Sequence, residues 1–178
     1  MKVNKSYMPV WLVLMTVFGV NAANHEQLLK DALSAAPPSL RDKVTVMDWN
    51  HNVLQKGTDG TYTCFPTPAQ LQGTAPMCMD AAWMEWADAW MNKKPFEAKT
   101  IGISYMLAGD EGASNIDPYA KGETADNQWV KEGPHLMIIT PDKNHLNSLP
   151  TDPHNGGPYV MWKDTPYAHI MVPVGEKK

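Results

Sequence analysis

Apolar residues along this chain come in short runs separated by turn-forming stretches, and the first run differs in kind from the rest. It extends from Met8 to Val20, follows Lys2 and Lys5, and leads into Val20-Asn21-Ala22. A positive start, an apolar stretch and a small-residue cut site make up the layout of a secretory signal. The run is shorter than the roughly 20 apolar residues that a membrane-spanning helix needs. Residues 1–22 are therefore read as a signal peptide and 23–178 as a single globular domain.

Beyond the signal, Leu28, Leu29, Ala32, Leu33 and Ala36 recur at helical spacing, with Asn24 placed as N-cap and Pro37-Pro38 as the stop. Val44 and Val46 alternate within a strand over 43–49. Asn50-His51-Asn52 reads as a turn, and Val53 to Lys56 as the returning strand. Another turn at 57–60 leads to a strand through Tyr62 and Cys64. Residues 66–76 read as a loop. The clearest helix covers 79–92, where Trp83, Trp86, Ala87 and Trp90 form one apolar stripe.

Ile101 to Leu107 is a strand, and 109–133 is a long polar loop of the kind that carries function. Three further strands are expected at His135 to Ile139, Tyr159 to Trp162 and His169 to Val172. A short helix opening at Thr140-Pro141 falls between the first two. Together these elements predict an α+β fold: a mainly antiparallel sheet with one major amphipathic helix packed on a face.

Composition narrows the class. Net charge is −4 and Arg41 is the sole arginine, which speaks against nucleic acid and anionic lipid surfaces as partners. No later segment is long and apolar enough for membrane insertion after signal cleavage. Cys64 and Cys78 are the two cysteines. In an oxidising, periplasmic or secreted setting they are expected to pair, and their spacing is too wide for a C-x-x-C redox or metal motif.

Candidate chemistry centres on a repeated phrase. His135-Leu136-Met137 and His169-Ile170-Met171 are both H-x-M within expected strands. Residues two apart on a strand share a face, so each strand offers an imidazole beside a thioether, a pairing suited to Cu(I). His135, Met137, His169 and Met171 are thus candidate copper ligands. The competing reading treats these methionines as flexible core filler. Covalent haem is excluded because C-x-x-C-H is absent.

The acidic positions of the polar loop suit ordinary turns better than a calcium site, since their spacing does not match an EF-hand. Trp129, Asp110, Asp117 and Trp162 are candidate walls of a small-ligand pocket, whereas Trp83, Trp86 and Trp90 are assigned to the core. No nucleophile elbow, zinc helix or phosphate loop is present. Three expectations result: an exported domain binding a metal ion or small ligand, a hydrolase-like enzyme pairing His135 or His169 with Asp110, Asp117 or Asp152, and a structural or protein-interaction module with a Met- and Trp-rich core.

Overall fold

The computed structural model describes residues 15–178, with side chains from Asn24 onward. Most of the expected signal segment, residues 1–14, lies outside the described residues. The first helix, α1, runs Met15–Ser34 and passes through the expected cut. Asn24 is therefore inside a helix and does not cap one. Ala22 and Ala23 precede it, and alanine favours continuing a helix. Among the described residues no helix is long and apolar enough to cross a membrane.

Eight short strands form one sheet. In chain order they are β1 (Thr45–Met47), β2 (Val53–Gln55), β3 (Thr63–Phe65), β4 (Met77–Met79), β5 (Gly102–Met106), β8 (His135–Ile139), β9 (Tyr159–Met161) and β10 (His169–Pro173). Their spatial order is β2-β1-β3-β4-β5-β8-β10-β9. Every pairing is antiparallel except that of β1 with β3. Two further strands, β6 (Ala113–Ser114) and β7 (Trp129–Val130), pair with each other inside the long polar loop. Strand β4 was not visible to periodicity, because three residues are too few to show alternation.

Helix α2 (Ala81–Met91) lies within the predicted span. Asp80 caps it by accepting the Trp83 amide at 2.9 Å, and its other carboxylate oxygen accepts the Ile103 amide at 2.6 Å. One side chain thus starts the helix and ties it to β5. The third helix, α3 (Asn144–Asn147), begins later than expected, with Lys143 at its cap position. Thr140 instead accepts the Asp142 amide at 3.3 Å.

The expectation of one major helix requires correction. There are three α-helices among the described residues, besides a short 3-10 turn at Pro38–Leu40, and α1 is longer than α2. Alternation along the strands assigns the two long helices to opposite faces of the sheet. Cys64, Cys78, Val46 and Tyr105 pack with Ala32, Ala35 and Ala36 near α1. Phe65, Met79, Met106, Met137 and Met171 pack with Trp83 and Trp86 of α2. The α1 face carries the Cys64–Cys78 disulfide, which joins directly opposed positions of β3 and β4.

Candidate functional site

The face of the sheet beneath α2 gathers both H-x-M motifs. Strands β8 and β10 are neighbours, with Met137 directly opposite Met171. On the far side of β8, His135 stands opposite Met106 of β5. On the far side of β10, His169 stands opposite Met161 of β9. Each imidazole therefore has a methionine two residues along its own strand and another directly across from it. All six side chains are buried; His135 is 0% and His169 1% exposed. The cross-strand partners Met106 and Met161 escaped the sequence reading because strand order was needed to find them.

The histidines share one local device. His135 Nδ1 lies 2.8 Å from the Gly133 carbonyl, and His169 Nδ1 lies 2.9 Å from the Tyr167 carbonyl. A carbonyl only accepts, so Nδ1 carries the proton and donates in each case. In the neutral ring this leaves the lone pair on Nε2. Orientation through Nδ1 by a backbone carbonyl is also how metal-ligating histidines are commonly held.

Their surroundings diverge. The His169 ring meets Trp83, Trp86 and Trp162 edge-on, at centroid distances of 5.5, 5.4 and 5.1 Å. Burial lowers its pKa to about 4, so at neutral pH it is uncharged. His135 Nε2 instead lies 4.0 Å from Asp110 Oδ2 and has no hydrogen-bond partner. Burial raises the Asp110 pKa, and the proximity of the His135 imidazole opposes that rise.

Beside this pair lies a carboxylate that sequence reasoning missed. Glu132 is 1% exposed. Its Oε1 accepts from the Tyr159 hydroxyl at 2.8 Å and from Lys177, while its Oε2 has no partner. Burial, followed by the nearby Glu132 charge, pushes the Tyr159 pKa far above the usual phenol value, so the hydroxyl stays protonated and donates. Nothing local marks Glu132 as buried, because its partners are 27 and 45 residues away.

The other predicted ligand residues disperse. Trp162 is buried and donates from Nε1 to the Ser114 carbonyl at 2.7 Å. Asp117 is exposed and caps a local turn at the Tyr119 amide. Asp152 does the same at the His154 amide. Of the three aspartates paired with histidine on paper, Asp110 is the one that forms an ion-pair contact with His135. Trp129 lines two surface depressions. Among the described residues, no three His, Cys, Asp or Glu side chains form a metal-holding group, so a metal at the H-x-M strands would rest on thioethers as well as imidazole. Compared with known protein families, curated proteins and solved structures, the chain matches none.

Proposed function

We propose that this chain is an exported domain that binds a soft metal ion of the Cu(I) class on the methionine–histidine face. The reading is supported chiefly by one arrangement. His135 has its Nδ1 anchored and its Nε2 unpartnered, on the same face as the directly opposed Met137–Met171 pair. Thioether and imidazole together favour Cu(I) over hard cations. His169 lies at the other end of the face, level with Ile139 and walled by three indoles, so in this reading it stands outside the ligand set and serves as the comparison site. An extracytoplasmic setting agrees with the Cys64–Cys78 bridge.

The test is an anaerobic Cu(I) titration against a chromophoric chelator. It compares the natural chain with His135→Ala, His169→Ala and the double variant Met137→Leu/Met171→Leu. Leucine preserves volume while removing sulfur, so the double variant is expected to stay folded. Stoichiometric binding by the natural chain, weakened at least tenfold in the double variant, is the expected result. No binding, or equal binding in every variant, would overturn the proposal.

The contact between His135 and Asp110 favours a second reading as a hydrolase-like acid–base site. There the aspartate, 17% exposed in its side chain, faces the substrate and the buried imidazole lies behind it. That reading requires Asp110→Asn to abolish hydrolysis of model ester or glycoside substrates while leaving Cu(I) affinity intact. Absence of hydrolysis by the natural chain would remove it.

A further inference from the structure

Trp129 is a tryptophan turned away from the core. In β7 its neighbour Val130 is 3% exposed and packs inward, while Trp129 is only half-buried. The indole lies outside the core cluster beneath α2, so part of its apolar surface, with a polar N–H at one edge, borders the loop surface.

The indole is firmly seated. Trp129 pairs with Ser114 across β6–β7, and Ser114 in turn fixes the Trp162 indole through its carbonyl. Gly112 has φ +111°, and a Cβ added there would fall 2.1 Å from Trp129 Nε1. The backbone therefore closes against one edge of the ring, and only glycine permits that approach.

Two depressions meet at this ring. One, of ≈ 360 Å³, is lined by Gln128, Asp152 and His154 among others. The second, of ≈ 460 Å³, includes Glu123, Lys131 and Lys177, and shares Trp129 and His154 with the first. Both lie within the size range of small-ligand sites, about 300–1,000 Å³. An aromatic surface with a few polar groups around it matches the usual makeup of such sites.

Charge narrows the ligand. The second depression has three lysines, but Lys177 is paired with Glu132 and Lys178 with Glu111 at 3.4 Å. Glu123 and Asp152 add negative charge to the two rims. With these charges offset, the site is no anion trap. Carboxylate, carboxamide, imidazole and ammonium groups around an apolar ring suit a neutral ligand with one apolar face and a rim of hydroxyls.

We infer that Trp129 is the platform of a binding site for a neutral pyranose oligosaccharide, one sugar ring stacking on the indole while flanking hydroxyls bond Gln128, Asp152, His154, Lys131 and Glu123. The site is separate from the methionine–histidine face and does not depend on metal.

The experiment is titration of the full chain with cellotetraose, chitotetraose, maltotetraose and an oligogalacturonate. Calorimetry and the Trp129 indole N–H resonance supply the readouts. At least one neutral oligosaccharide is expected to bind and to shift that resonance. Trp129→Ala should weaken binding at least about tenfold, as truncating a central aromatic anchor does, with Trp129→Phe intermediate. An unchanged urea midpoint in Trp129→Phe guards against a folding artefact. The Met137→Leu/Met171→Leu variant should bind sugar like the natural chain, which separates this inference from the copper reading. Three results would overturn it: no neutral oligosaccharide binds, Trp129→Ala binds undiminished, or the oligogalacturonate alone binds.

Discussion

The two H-x-M strands carry the same three-residue pattern and the same Nδ1 anchor to the carbonyl two residues before, yet they end in opposite environments. His169 is walled by three indoles. His135 lies beside Asp110, in a neighbourhood that also holds Glu132, Tyr159 and Lys177. A local motif thus fixes the tautomer and the face of an imidazole, while elements distant in sequence decide its chemistry. Helix α2 delivers Trp83 and Trp86 to one end of the face. The polar loop and the residues after β10 deliver acid, acid and amine to the other.

This contrast predicts how each end breaks. At the aromatic end the large loss is packing. Trp86 is 4% exposed and stacks at 5.8 Å on Trp162. Trp86→Ala is expected to cost about 3–5 kcal/mol in urea unfolding, the range for emptying a buried aromatic position. At the polar end the loss is electrostatic. Lys177→Met leaves Glu132 buried with Tyr159 as its one remaining donor. Orphaning a buried charge costs roughly 3–5 kcal/mol. Lys177 is itself 28% exposed, so about 3 kcal/mol or somewhat less is expected. Replacing both charges at once, as Glu132→Gln with Lys177→Met, should recover much of that loss. If the single and double variants are equally unstable, Lys177 acts through packing and the polar end is misdescribed.

Acid should distinguish the two ends by the sign of its effect. Burial lowers the folded pKa of His169 to about 4, against the ordinary imidazole value of 6.5. Between those values the unfolded chain binds the extra proton, so stability rises with pH. The contribution is fully present above pH 6.5 and lost as pH falls toward 4, with a total of about 3 kcal/mol by linkage. Asp110 has a raised folded pKa, so it contributes the reverse. Its share is present below the unfolded value of 3.8 and lost as pH rises through the folded pKa. His169→Gln should flatten the stability profile between pH 4 and 6.5, whereas Asp110→Asn should steepen the rise with pH at its acidic end. Urea midpoints measured across pH 3–8 check both, and an unchanged slope in His169→Gln would show that this histidine does not titrate as its burial implies.

How much of this was legible beforehand follows from the range of each interaction. His135 to Ile139 was read with its exact ends, because five residues suffice to show alternation and Pro134 precedes them. The disulfide followed from having two cysteines and an oxidising setting. Asp80 as cap and β4 were missed: the strand is three residues long and abuts the helix start. The Asp110–His135 contact was among several pairings sequence allowed, and the hairpin of β6 and β7 within the polar loop was not anticipated. Glu132 and Lys177 were invisible, since a buried ion pair between residues 45 apart leaves no local trace. Trp162 was expected to wall a pocket, yet it closes the aromatic end of the core.

The smallest expected effect bears on what the face between the two ends is for. Met137 and Met171 are 6% and 2% exposed, and both lie in the cluster beneath α2. If they serve only as filler, Met137→Leu should change stability by less than about 1.5 kcal/mol and nothing else, because leucine fills nearly the same volume. If the thioethers hold metal, stability of the copper-free chain changes equally little. The natural chain then gains more stability with added Cu(I) than the leucine variant does, its own gain being about 2.7 kcal/mol when free metal is a hundredfold above its dissociation constant. Thermal unfolding with and without Cu(I), for the natural chain and the leucine variant, therefore reads site against core in a single comparison. Equal copper-induced shifts in both chains would leave the central methionines as packing, with the chemistry confined to the His135 end.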